Sequence, residues 1–295
     1  MTKTNPTSPL LRSKLREDTA RLRRARPVTQ SLHKARKSLG QNFLMHARIA
    51  ERIALAARLT PDATVFEIGP GTGMLTRELL KLVGKVIALE ADGELFEKLK
   101  TDFAHEIAEG RLELIHGDIR SFDITALPKG YALVANIPYY LTGEIFRMFL
   151  ASPNQPSTMT LLVQKEVAER IARSEKESIL SLSVKAYGTP KYEFTVPRGA
   201  FNPAPKVDSA VLTIRGISRK NFATGEKEQR FFELLHTGFA HKRKFVRKNL
   251  LEAGFTISLN ASRSAASGEQ AKPVLAEKAR AEDVLLPLWL ALSRE

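Results

Sequence analysis

The chain has 295 residues, 43% hydrophobic and 26% charged, which is enough apolar material for one large domain or a medium one beside a small one. It contains no cysteine, which excludes disulfides, thiolate metal sites and a cysteine nucleophile, and no apolar run long enough for a membrane helix. Net charge is +14, with eleven Lys or Arg in residues 1–40 against only Glu17 and Asp18; such a balance points to a polyanionic partner, most often nucleic acid.

Residues 1–37 hold Pro6, Pro9, Pro27 and many arginines, and read as a disordered leader with at most a transient helix over 10–26. An RNA-touching arm, an Arg-rich mitochondrial presequence and an extension without a specific role all fit, and Glu17 and Asp18 count against the presequence. The start lacks the apolar core of a secretory signal, so a cytoplasmic location is expected over the mitochondrial matrix. Order is expected from residue 38, followed by a helix with Ile49, Ile53, Leu55 and Leu59 on its apolar face, ended by Pro61-Asp62.

Thr-Val-Phe-Glu-Ile at 64–68 predicts a strand that opens into Gly69-Pro70-Gly71-Thr72-Gly73, with a helix over 74–83. Strand, glycine turn and helix make a nucleotide-binding arrangement, although glycines alone fit any tight turn of this kind. Met74 breaks the dinucleotide spacing, and the Gly-Lys-Ser/Thr of a P-loop is missing. Glu67, just before the glycines, suits a cationic ligand better than a pyrophosphate. A second strand at 85–90 ends in Glu90, where a doubly wound sheet places a carboxylate on a ribose diol. A helix over 94–107 and a strand over 111–116 follow, ending in Gly117-Asp118, an acceptor for an exocyclic amine. The apolar run 131–135 predicts a buried parallel strand ending in Asn136-Ile137-Pro138-Tyr139. Each strand-end acid has a second reading as a helix cap.

Residues 158–163 predict a further strand and 165–172 a helix, and 180–187, 192–196 and 210–215 are expected to add sheet elements. Beyond about residue 218 the strand pattern stops. Residues 225–295 read as helical, with Phe231, Phe232, Leu234 and Leu235 as a stripe, a loop over 259–275, and a closing helix over 279–292 that buries Trp289. The run His241-Lys-Arg-Lys-Phe-Val-Arg-Lys248 predicts five cations on two helical turns, a candidate phosphate contact or a solvated face. The six histidines do not cluster at metal-ligand spacing, so no metal is expected.

Glu-x-Gly-x-Gly-x-Gly73, the acids at 90 and 118 and Asn-Ile-Pro-Tyr139 resemble the S-adenosylmethionine-dependent amino-methyltransferases. Gly40-Gln-Asn-Phe-Leu44 and Phe201-x-Pro-x-Pro-Lys-Val-Asp-Ser209 narrow the resemblance to the rRNA adenine N6-dimethyltransferases, and Pro205-Lys-Val-Asp-Ser-Ala-Val211 and Leu162-Val-Gln-Lys-Glu-Val167 to their small-subunit group, over residues 37–295. The resemblance implies an α/β, Rossmann-like methyltransferase sheet with helices on both faces over 38–217, and a small all-helical, RNA-contacting domain over 218–295. It implies dimethylation of N6 of two adjacent adenines in small-subunit rRNA, with S-adenosylmethionine as donor and a monomer acting on the assembling small subunit. Asn42 and Leu44 would close over the cofactor, Gly69 and Gly71 would face its methionine moiety, Glu90 its ribose and Asp118 its adenine. Asn136 would lie between cofactor and substrate, where its oxygen and a carbonyl within Ile137–Pro138 accept the two N6 hydrogens. Pro138 would fix the turn, and Tyr139 and Phe201 would hold the flipped base between rings. Lys206, Lys242, Arg243, Lys244, Arg247 and Lys248 are the expected RNA contacts. Two departures stand out: Leu141-Thr142-Gly143-Glu144 replaces the usual Ser-Thr-Pro after the tyrosine, and Ala91 replaces a larger residue after Glu90. The competing readings are a large-subunit rRNA adenine methyltransferase of the macrolide-resistance type, a relative that mainly binds RNA or DNA, and a small-molecule N-methyltransferase.

Overall fold

In the computed structural model, which describes residues 41–255 except 242, and 275–294, the apolar runs assemble into a seven-stranded sheet. Five strands are parallel: β2 (Thr64–Ile68), β3 (Lys85–Glu90), β4 (Leu112–His116), β5 (Ala132–Asn136) and β6 (Thr158–Gln164). Two antiparallel strands, β7 (Thr189–Val196) and β9 (Ser209–Arg215), complete it in the order β4-β3-β2-β5-β6-β9-β7. A separate two-strand ladder pairs β1 (Phe43–Leu44) with β8 (Phe201–Asn202). The helices are α1 (Ala47–Ala56), α2 (Met74–Leu80), α3 (Gly93–Asp102), α4 (Ala104–Ala108), α5 (Thr142–Leu150), α6 (Lys165–Ala172), α7 (Ile179–Tyr187), α8 (Gly225–Phe239), α9 (Val246–Glu252) and α10 (Leu286–Leu292).

The central strands are near-continuous apolar runs because helices cover both faces of the sheet. Side chains alternate between two cores. Val65, Ala132 and Val134 join α1, α2 and Phe103 on one face, while Phe66, Ile68, Leu133 and Ala135 join α5 and α7 on the other. The second core runs on without a break through Phe231, Leu235 and Trp289, so α8 and α10 rest on the same apolar mass as the sheet. Trp289 is fully buried, stacks on Phe239 at 5.9 Å and donates its indole N–H to the Val284 carbonyl at 3.1 Å. The connections from β2 lead outward on one side to β3 and on the other side of the sheet lies β5. This switch in winding opens a crevice at their carboxyl ends.

Four expected elements come out differently. Residues 180–187 are not a strand but α7, capped reciprocally by Ser178 and Ser181. Leu182, Val184, Ala186 and Tyr187 are all buried, so the helix lacks the polar face that would have marked its period. The helix expected over 94–107 breaks at Phe103, whose ring is driven beneath the glycine turn. The closing helix is shorter than 279–292, with a 3₁₀ turn at Ala281–Asp283 before α10. The run 241–248 is not one helix: the buried Asn249 amide donates to the Gly238 carbonyl at 2.8 Å, the chain turns there, and α9 begins only at Val246. Leu55 faces solvent instead of the α1 core. The leader, Gly40, Lys242 and all but Leu275 of the expected loop lie outside the described residues. No helix among the described residues is long and apolar enough to cross a membrane.

Gly73 caps α2 in the left-handed region at φ 76°, and an added Cβ would stand 2.5 Å from the buried Phe103 ring. A Gly73→Ala chain therefore combines backbone strain with overpacking, and its stability is expected to fall by about 3 kcal/mol, read as a lower denaturant midpoint at unchanged slope.

Candidate active site

The crevice holds a cleft walled by the segments that follow β2, β3, β4 and β5, with residues 41–44 closing one side. Gly69, Gly71 and Gly73 all have positive φ, so the loop after β2 turns tightly and presents backbone. It is tied down on both sides: Gly69 N–H donates to the Leu89 carbonyl at 2.9 Å, and Gly71 N–H donates to Glu90 Oε2 at 2.9 Å. Glu90 Oε1 accepts from Asp92 N–H at 2.9 Å, and Asp92 in turn caps α3. Glu90 is thus a brace between the glycine loop and the end of β3 as well as part of the cleft wall. Burial raises its pKa, and the two N–H donors oppose that shift. Each carboxylate oxygen keeps a further lone pair for a ligand hydroxyl.

Glu67 lies two residues before Gly69, on the same face of the sheet as Val65, because strand side chains alternate. It is 1% exposed, lines the cleft, and its Oε2 has no hydrogen-bond partner among the described residues; the buried Thr76 hydroxyl beside it has none either. Burial pushes the carboxyl up to about 8, with the Thr76 hydroxyl opposing and the charge of Glu90 adding to the rise. A buried carboxylate oxygen without a partner inside a cleft is an open acceptor.

Asn136 ends β5 on the same face as Glu67, two residues on from Val134. Its Nδ2 donates to the Asn42 carbonyl at 3.1 Å, which fixes the amide and ties residues 41–44 across the cleft. Ile137 is buried, and the Pro138 carbonyl accepts from Leu141 N–H at 3.0 Å to start the turn into α5. Of the two carbonyls expected as acceptors, that of Ile137 is the one this turn does not use. Tyr139 is half-buried, and its hydroxyl lies 2.6 Å from Ser209 Oγ, on a side chain that is itself 0% exposed. Burial raises the Tyr139 pKa; the Ser209 hydrogen bond opposes this and the Asp208 charge adds to it. Asp208 braces its own loop by accepting from Arg198 N–H at 2.9 Å. Removing the Ser209 hydroxyl leaves the tyrosine ring without its tether. Ser209→Ala is expected to lose roughly 1 kcal/mol of stability, and substrate KM should rise more than donor KM in steady-state assays.

Phe201 and the five described cations expected to meet RNA are not in the cleft wall. Phe201 is 5% exposed, sits opposite Leu44 in the β1–β8 ladder and belongs to the apolar core with Val211. Its ring packs in that core. Lys206 is exposed on the loop after β8, Arg243 and Lys244 sit in the turn before α9, and Arg247 and Lys248 lie on α9. Lys244 and Lys248 both pair with Glu252, at 3.2 and 3.8 Å. Asn42, Leu44, Gly69, Gly71, Glu90, Asp118, Asn136, Pro138 and Tyr139 do come together in the cleft wall.

The departure at 141–144 leaves the local turn intact. Tyr139–Leu141 form a 3₁₀ turn and α5 begins at Thr142, with Glu144 in its first turn where an acid suits the helix dipole. Glu144 accepts Arg120 in a fork, Nε to Oε1 at 3.1 Å and Nη2 to Oε2 at 3.2 Å. Asp118 Oδ1 accepts from Arg120 N–H at 2.9 Å. Ser209, Arg120 and Tyr140 are members that sequence reasoning left out of the site, and Glu67, read there as suited to a cationic ligand, was given no named role in it. Of these four, Glu67 alone had a local signal, its place before the glycines, and it is the one the sequence singled out.

Comparison with known proteins agrees with this geometry. The family model described as ribosomal RNA adenine dimethylase matches residues 32–285. The chain is 40% identical over 266 residues to the ribosomal RNA small subunit methyltransferase A of Dehalococcoides mccartyi strain BAV1, covering 89% of this chain and 88% of that one. It is 38% identical to the protein of the same name from Deinococcus radiodurans, over 75% of this chain and 74% of the other. Among solved structures, the dimethyladenosine transferase from Plasmodium falciparum superposes with a TM-score of 0.68 at 25% identity, covering 85% of this chain and 95% of that one. The 23S rRNA methyltransferase ErmE superposes with a TM-score of 0.68 at 26% identity, covering 86% and 98%. The fold is thus a Rossmann-like methyltransferase fold, and the chain belongs to the ribosomal RNA adenine dimethylase family.

Proposed function

We propose that the protein is an S-adenosylmethionine-dependent enzyme that dimethylates N6 of two adjacent adenines in small-subunit rRNA, acting as a monomer in the cytoplasm on the assembling particle. The observation that carries this reading is the Asn136 amide, held at the cleft wall by Asn42 and followed by the Ile137 carbonyl and the Tyr139 ring.

The cleft suits a cationic nucleoside ligand. Glu67 offers a buried acceptor without a partner, and space beside Gly69 is open, with nothing within 4 Å of an added Cβ. Glu67 would face the positive charge, the glycine loop the methionine moiety, Glu90 the ribose hydroxyls and Asp118 the adenine amine. When bound, the donor supplies a methyl carbon on a sulfonium and leaves as a neutral thioether. The chain's own task is then to position the nucleophile and support developing charge. An adenine amine is a poor nucleophile because its lone pair is delocalised into the ring. Asn136 Oδ1 and the Ile137 carbonyl accept the two N6 hydrogens, which turns the lone pair toward the methyl carbon and stabilises the cation formed as nitrogen bonds carbon. The methylated ammonium is acidic enough to pass its proton to water, so no strong base is needed. Tyr139, tethered by Ser209, supplies a flat face for the base.

Sequence similarity favours the small subunit, since the relatives near 40% identity carry that name, whereas the two structural relatives, one of them a 23S rRNA enzyme, superpose equally well. The test is mass spectrometry of rRNA after incubating the protein and donor with unmethylated small-subunit and large-subunit particles. Two adjacent N6,N6-dimethyladenosines confined to small-subunit rRNA are expected. Modification of large-subunit rRNA, or of neither, overturns the reading.

A further inference from the structure

Tyr140 is the one exposed large apolar side chain among the described residues that walls the cleft; it is 55% exposed. It follows Tyr139 directly, and both lie in a single 3₁₀ turn, so their side chains leave the backbone about a third of a turn apart. Tyr139 is half-buried and tethered, whereas Tyr140 stands open at the rim. The Arg120 guanidinium lies 5.7 Å from the Tyr140 ring centroid. Its plane is not free to turn, because Glu144 holds it in a two-point fork and Asp118 holds its backbone.

An exposed ion pair of this kind contributes little to stability. Its effect is geometric: it sets a planar cation beside an exposed aromatic face at the edge of the cleft, and it joins the segment after β4 to the first turn of α5. A flat π-face with an adjacent guanidinium is the chemistry that accepts an unstacked nucleobase and its backbone phosphate. A target base can enter the cleft only if it leaves its own stack, and that exposes the face of its neighbour. Phe201, buried in the core, does not offer a competing surface at this rim.

We infer that Tyr140, with Arg120 held by Glu144, forms a stacking platform for the unpaired RNA base that adjoins the reacting adenine. This rests on the RNA-adenine reading of the cleft above. Of the three residues, only Glu144, which holds the guanidinium, lies in the stretch 141–144.

The test uses the full chain with unmethylated small-subunit particles and compares Tyr140→Ala, Tyr140→Phe and Tyr140→Trp. Loss of one base–aromatic stack predicts a KM for particles raised roughly ten-fold in Tyr140→Ala, with kcat changed far less and the melting temperature unaltered. Phe and Trp, which keep the π-face and lose the hydroxyl, are expected to restore a near wild-type KM. Arg120→Gln should give a smaller rise together with a shallower salt dependence, as one phosphate contact is lost. A wild-type KM in Tyr140→Ala, or a raised KM that Phe and Trp do not rescue, overturns the platform while leaving the functional reading in place. Absence of methyl transfer to particles by the unaltered protein overturns both.

Discussion

In Asn136→Ala, methyl transfer is expected to fall by roughly 10²–10³-fold in kcat, the scale seen when one preorganised hydrogen-bonding group is removed from a reacting centre. The amide does two things. Its Nδ2 donates to the Asn42 carbonyl and ties residues 41–44 to the cleft wall, and in the proposed reaction its oxygen accepts from the substrate amine. Alanine removes both, whereas Asn136→Asp keeps an acceptor oxygen and loses only the tie to Asn42. The aspartate chain should therefore retain more turnover than the alanine chain while sharing its weaker closure of residues 41–44. Single-turnover rates at saturating donor, with donor affinity measured separately by calorimetry, separate the two contributions. Near-normal turnover in Asn136→Ala would rule out the orienting role.

The second large effect concerns Glu67 and is a dependence on pH. In the folded chain burial holds this carboxyl protonated up to about 8, whereas the unfolded chain ionises it near 4.5. Between these values the unfolded state binds fewer protons, so the contribution of Glu67 is fully present below the lower value and is lost as pH rises toward the upper one. The slope is roughly 1.4 kcal/mol per pH unit within the window. Glu67→Gln removes the titration, so the ligand-free variant should overtake the wild type in melting temperature as pH rises from 5 to 8. A parallel decline in both proteins would show that Glu67 is not the group responsible. The variant should at the same time lose affinity for the cationic donor more than for its neutral thioether product, because only the former gains from an ionised carboxylate inside a low-dielectric cleft. Isothermal titration with the two ligands at pH 8 reads that difference directly.

The two effects meet in one wall. Glu67 and Asn136 point to the same face of neighbouring strands, with Ile68 in register with Ala135 and Glu67 with Val134. Parallel pairing of β2 with β5 is what brings the Glu67 carboxyl beside the Asn136 amide. The glycine loop braced by Glu90 closes this wall from above β2, and the Asn42 carbonyl closes it from the other side.

Local signals determined much of this. The strand at 64–68 and the helix at 165–172 lie where their patterns place them, the 131–135 run is displaced by one residue, and the strand expected over 158–163 runs one residue further, to Gln164. Apolar period and turn residues act over a few positions, which is why these elements were legible. The cleft wall was legible for the same reason: its acids, glycines and the Asn136 tetrapeptide all follow strands, and in a doubly wound sheet the ends of parallel strands converge. Tertiary structure decided what no local pattern encodes. α7 reads as a strand because it is buried nearly all round and shows no polar face to reveal a helical period. Phe201 stands in an apolar core instead of the cleft because pairing of β8 with β1 sets its direction. Ser209 reaches the Tyr139 hydroxyl through the pairing of β6 with both β5 and β9, and Glu144 meets Arg120 across the crevice. Which residues line the cleft is written at the strand ends; which partners hold them in place depends on contacts between segments far apart in the chain, and only the packed fold supplies those.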